Sequence, residues 1–207
     1  MGAALLTFDL QTMSRISLDF GTAASDSGIM DSATGVALDT DHSSQSSTRE
    51  KVLEHLFVGD LLRCLWRKKM RDVEVLRAEV DRGGYDVVVE YAKILRHIQL
   101  KSSYDKARTQ EVGINTNLAG KPSGCIVWIQ FDAETMQLGP FLWFGGPPGA
   151  PLPDLGDRIG RHTKSNSAGI KGPRPGIRRL RRNQFKVLPT MDALIEELFG
   201  SGSVKGA

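Results

Sequence analysis

Three side chains on one stretch carry the chemistry this sequence offers: the carboxylate of Asp86, the carboxamide of Gln99 and the ammonium of Lys101. Gly83 and Gly84 lead into Asp86, and an alternating run follows. Val87, Val89 and Tyr91 would share one face of a strand, with Asp86, Val88 and Glu90 on the other. In the run from Ile94 to Lys101, Ile98 and Leu100 point one way while His97, Gln99 and Lys101 point the other. With a turn at Lys93, the two runs predict a short antiparallel hairpin with one oily face. Its polar face has two readings. It is an ordinary solvated surface, with Asp86 completing the glycine turn. Alternatively, Asp86 and the Gln99 carbonyl are hard oxygen ligands for a divalent cation. Lys101 would then orient water and stabilise charge at a phosphate.

Gly83-Gly84-Tyr85-Asp86, a short β-run and then Gln99-Leu100-Lys101 resemble the PD-(D/E)xK nuclease superfamily in its Gln-x-Lys variant. The pattern is most similar to Mrr-like restriction endonucleases, which have an acidic helix residue, Gly-x-Asp and Gln-x-Lys. The motif core covers about a quarter of the chain, and an αβββαβ order extends the likeness to about two thirds. Gln99 stands where many members have an acid, so one metal-ligating charge is missing. The resemblance implies a restriction-endonuclease-like α/β fold with a mixed central sheet flanked by helices. It also implies Mg2+ (or Mn2+) as cofactor and Asp86, Gln99, Lys101 and a helix carboxylate as catalytic residues.

The elements that must position these groups are legible around them. Thr48 to Lys69 reads as a helix, entered by Ser47-Thr48-Arg49-Glu50, a capping-box pattern that assigns Glu50 to the cap. At 100° per residue Leu53, Phe57, Val58, Leu61, Cys64 and Leu65 fall in one apolar arc, with Glu54 near its middle. A carboxylate buried there needs a positive partner. That partner is either an ordinary ion pair or, as the resemblance implies, a metal or the Lys101 ammonium. Glu54 is thus the helix acid, with Asp60 as the fallback. Val73 to Leu76 reads as a first strand. The loop after it holds Glu79 and Asp81, which suit outer metal ligands or plain turn residues. His97 is more in keeping with packing than with catalysis.

Farther on, Ala107 to Ala119 reads as a weak helix ending at Gly120-Lys121-Pro122. Cys125 to Ile129 reads as a buried central strand and Phe141 to Phe144 as another. Arg158, Arg161, His162, Lys164 and Lys171 lie among Ser, Asn and Gly, and Arg178, Arg179, Arg181, Arg182 and Lys186 follow. This cationic cluster suits phosphate contacts, or a solvated strand with arginines at its edge. Thr190 can cap a last helix whose apolar stripe is Leu194, Ile195, Leu198 and Phe199.

The organisation expected is a low-complexity tail over 1–47, a nuclease-like α/β domain over 48–200 and a flexible end over 201–207. The tail holds six Asp and one Arg, a net of −5 against +3 for the whole chain, which leaves +8 for the rest. It lacks the basic start and apolar run of a signal peptide, and no segment approaches about 18 consecutive apolar residues, so a cytoplasmic protein is expected. Cys64 and Cys125 sit far apart in apolar runs and read as reduced core thiols. No phosphate-binding loop, dinucleotide fingerprint or serine elbow occurs. The function these readings favour is metal-dependent hydrolysis of phosphodiester bonds in nucleic acid, DNA in particular, with monomer or homodimer open and no membrane partner. The alternative is a catalytically inactive nuclease-like fold that binds nucleic acid or a protein.

Overall fold

A computed structural model of the chain describes residues 46–201, apart from 79, 81, 163–168 and 170. The tail through residue 45, Glu79, Asp81, Lys164 and residues 202–207 therefore lie outside the described residues. Among the described residues there are two helices, α1 (Ser46–Arg67) and α2 (Met191–Phe199). The strands are β1 (Val73–Arg77), β2 (Val87–Tyr91), β3 (Ile94–Tyr104), β4 (Glu111–Asn115) and β5 (Gly124–Phe131). They continue with β6 (Leu138–Gly145), β7 (Ile159–Arg161), β8 (Pro173–Arg181) and β9 (Lys186–Leu188). No helix among them is long and apolar enough to cross a membrane.

The molecule is α/β, built on a mixed six-stranded sheet in the order β1-β2-β3-β5-β6-β9, in which β3 and β5 run parallel and the other neighbours antiparallel. The period-2 alternation fixes the hairpin. Tyr91 pairs Ile94 and Val87 pairs Ile98 across a two-residue turn in which Ala92 and Lys93 both take positive φ. That register puts Val87, Val89, Ile98 and Leu100 on one face, against Phe57, Leu61 and Leu65 of α1 and Leu194 and Leu198 of α2. A helix stripe and a strand stripe of matching apolarity bury one another, which is the main favourable term here. Thr190 caps α2, its hydroxyl accepting the Ala193 amide at 3.2 Å.

Both helices contribute to that one core cluster. On the second cluster lies a three-stranded sheet, β4-β8-β7, whose Val112, Ile114 and Leu180 pack with Ile126, Trp128 and Leu142 of the large sheet. The helix expected over Ala107 to Ala119 is instead β4 followed by a single 3-10 turn, Thr116–Gly120. Val112 and Ile114 are buried while Glu111, Gly113 and Asn115 are half-exposed, a strand alternation that pairing with β8 makes stable. Gly113, a poor helix residue, fits here because a methyl group at its position would lie 3.0 Å from Ile177. The return from β3 to the parallel β5 is thus made through the small sheet rather than a helix.

Candidate functional site

Residues from α1 and the hairpin meet in a cleft of about 310 Å³ lined by Glu50, Lys51, Leu53, Glu54, Asp86, Leu100, Lys101, Ser102 and Ile129. Three carboxylates and two ammonium groups give it a formal charge of −1, from −3 and +2. Glu54, Asp86 and Lys101, singled out in the sequence, are brought together here. Glu50 lines the cleft too. Because α1 begins at Ser46, Glu50 lies beyond the first turn and is not the cap residue its capping-box pattern suggested. One helical turn separates it from Glu54, so the same face reaches the cleft twice.

Asp86 is the most firmly placed of these groups. Its amide donates to the Ile98 carbonyl at 2.9 Å, and its own carbonyl accepts from Ala78 at 3.1 Å. Its Oδ2 accepts the Leu100 amide at 2.7 Å, so a carboxylate extends the β2–β3 ladder beyond the last paired residues. The glycines before it are required by their surroundings. Gly84 has φ +74°, and a Cβ there would sit 3.0 Å from both the Leu118 amide and the Asn115 side chain. The 3-10 turn presses on this loop, with Asn117 donating to the Arg82 carbonyl at 3.0 Å.

Glu54 has the ion-pair partners that burial demands. Its side chain is 12% exposed and lies 3.0 Å from the Lys51 ammonium and 3.7 Å from the Arg77 guanidinium. Asp60, the fallback, is paired at 2.7 Å with Arg63 and does not line the cleft. Gln99 is buried and does not line the cleft either; its Oε1 accepts the Asn115 amide at 3.2 Å, on the side of the small sheet. It shares a strand face with Lys101, but its carbonyl is committed to holding β4. His97 packs edge-on against Tyr85 at 4.8 Å and hydrogen-bonds the Pro122 carbonyl at 2.8 Å, a structural setting.

The donor set suits a hard divalent cation in one respect. Among the described residues no three His, Cys, Asp or Glu side chains are grouped as a cage. Mg2+ does not need one, since it keeps several waters and is held by one or two carboxylates together with substrate phosphates. Asp86 and Glu54 offer two carboxylates that line the one cleft.

The basic cluster is largely engaged within the molecule. Arg179 grips Glu111 through Nε and Nη2 at 3.0 and 2.8 Å, and Arg158 reaches the other carboxylate oxygen at 2.9 Å. The Arg179 hydrogen bond, helped by Arg158, holds the Glu111 carboxyl below the usual range. Arg178 donates to the Pro175 carbonyl, and Lys186 pairs with Glu197. Arg182 lies over the Trp128 ring and donates to Gln130, whose amide in turn donates to Ser103; the Trp128 indole N–H donates to the same hydroxyl. Arg181 is exposed.

No family model matches this chain, and no curated protein matches it. Among solved structures it is similar to a bacterial homing endonuclease, I-Ssp6803I, at 21% identity over 55% of this chain and 83% of that one. The TM-score is 0.22, below the level at which two folds are equated.

Proposed function

We propose that this domain is a metal-dependent phosphodiesterase acting on nucleic acid, with DNA as the expected substrate. One observation carries the reading. Glu54, Asp86 and Lys101 come from three separate elements of the sequence and line a single cleft. Glu54 and Asp86 are the residues that would hold Mg2+ or Mn2+. When bound, such an ion lowers the pKa of a coordinated water and offsets the charge of the scissile phosphate. Asp86 enters the reaction already oriented, because its carboxylate is fixed by the Leu100 amide. Lys101 donates to a phosphate oxygen or holds the attacking water. Lys51 and Arg77 offset the Glu54 charge, and a cation held by Glu54 would share that carboxylate with them. Gln99 supports the site from behind by tying β3 to β4.

The test is plasmid nicking in Mg2+, Mn2+ or EDTA. Lys101→Ala should abolish metal-dependent nicking with an unchanged circular-dichroism spectrum. Unchanged cleavage by that variant removes the catalytic assignment. A second reading, a binding module without catalysis, is favoured by the Gln99 carbonyl being taken up by Asn115 and by the Glu54 ion pairs. It predicts salt-dependent binding with no cleavage in any metal.

A further inference from the structure

The end of α1 farther from the cleft is unlike the rest of the helix. Trp66 is 64% exposed, whereas Trp128 and Trp143 are 0% and 4% exposed. The Arg71 guanidinium lies over the Trp66 ring, 4.6 Å from its centroid. An indole covered on one face and still exposed to that degree has its second face open. Arg67 and Lys69 are exposed beside it. Asp60 and Asp192 pair with Arg63 and Lys68, while the Arg67 guanidinium reaches the Cys64 sulfur at 3.7 Å and lies in the field of Asp192.

Lys69 occupies a position that favours glycine. The Lys69 amide bonds the Trp66 carbonyl and the Met70 amide bonds the Leu65 carbonyl, both at 3.0 Å, with Lys69 at φ +62°. This is the Schellman closure of a helix, whose left-handed residue is usually glycine. A lysine there forgoes stability and puts an exposed cation three residues beyond Trp66 at the close of the helix.

We propose that Trp66, Arg67, Lys69 and Arg71 form a docking platform for single-stranded nucleic acid. A base stacks on the open indole face and the three cations take the flanking phosphates. The choice of nucleic acid rests on the function proposed above. The platform lies about 18 Å along the helix axis from Glu54, at 1.5 Å per residue, so it engages a strand away from the cleft. A bilayer fits less well, because burying the indole would also bury the guanidinium on its face.

The surroundings give a direct readout, since Trp66 is the exposed member of the three tryptophans. In EDTA, titration with a twelve-residue oligothymidylate should quench tryptophan emission. By anisotropy of a labelled oligonucleotide, Trp66→Ala should bind about tenfold more weakly, the loss of one stacked base. Lys69→Gly should raise the melting temperature yet weaken binding, and should shrink the log–log salt slope by about 0.7. Unchanged affinity in Trp66→Ala overturns the platform, as does absence of quenching. A blue shift on phosphatidylglycerol vesicles with no response to the oligonucleotide overturns it in favour of lipid. Plasmid nicking by the same proteins is scored separately, so a catalytically inert wild type that still quenches refutes the nuclease and not the platform.

Discussion

Replacing Arg96 with methionine should weaken the fold more than its distance from the cleft suggests. Arg96 is fully enclosed, and its hydrogen bonds go to main-chain carbonyls rather than to a carboxylate. Nε donates to Leu198 at 2.6 Å, Nη2 to Glu197 at 2.8 Å and Nη1 to Gly146 at 3.1 Å. The first two acceptors belong to the last turn of α2, where carbonyls lack helical partners. The guanidinium also lies over the Trp143 ring at 5.5 Å, and burial pulls its pKa down. Methionine would leave the buried Leu198 acceptor unmet, at about 1–3 kcal/mol, and two part-buried acceptors at less each. Relief of a buried charge returns part of that. A net loss of about 3 kcal/mol is expected, against a total of about 5–15 kcal/mol for a domain. With a slope of about 2 kcal/mol per molar urea, the midpoint in equilibrium unfolding should fall by about 1.5 M. Arg96→Lys should fall between the two. A midpoint within about 0.3 M of wild type would show that the guanidinium does not hold the end of α2.

Three further outcomes follow from the geometry. Gly84→Ala should cost about 2 kcal/mol or more by chemical denaturation, because a left-handed alanine also meets the Leu118 amide; a neutral effect would mean that the loop can move away from the 3-10 turn. Glu111→Gln should destabilise by about 1 kcal/mol or less at pH 7, the groups being about a third exposed. Since the Glu111 pKa is depressed by folding, its contribution is present above the ordinary carboxylate range and disappears as pH falls through the folded value. The wild-type and variant stabilities should therefore converge as the pH falls below that depressed folded value, and a difference that persists once the carboxyl is protonated would contradict the ion-pair assignment. Neither thiol should react with a disulfide reagent at pH 8 in the folded protein, and both should react in denaturant: burial pushes Cys125 up to about 12 and also raises Cys64. Rapid labelling of the native state would refute that packing.

The hairpin, α1, the β5 run and the capped α2 were legible in the sequence because each is specified by local periodicity or a cap. The same arc of Leu53, Phe57, Val58, Leu61, Cys64 and Leu65 that the 100° spacing predicts is the buried face of α1. The stretch from 107 to 119 was not legible, because its strand depends on β8, more than sixty residues later. Gln99 was read on the correct strand face, but its partner Asn115 comes from that misread segment. Arg179 of β8 and Arg182 just after it read as free cations for the same reason: Glu111 reaches the first and Gln130 the second only through tertiary pairing. The capping-box pattern at Ser47 to Glu50 misplaces the start of α1, which begins at Ser46 and so carries Glu50 past its first turn. The cations near Trp66 carry no local signal, since the relation of Arg71 to the indole depends on how α1 closes.

A single ribbon, β3, links α2, β4, β5 and the cleft. Arg96 on it reaches the end of α2, Gln99 reaches β4, Lys101 lines the cleft and the Ser103 hydroxyl accepts hydrogen bonds from Trp128 and Gln130. Tolerance to change should therefore be graded along this one strand. An added residue at the Ala92–Lys93 turn can be absorbed as loop, whereas one inserted between Arg96 and Gln99 would exchange the two faces for every residue beyond it, so that Arg96 and the group of Gln99, Lys101 and Ser103 could not keep their attachments together.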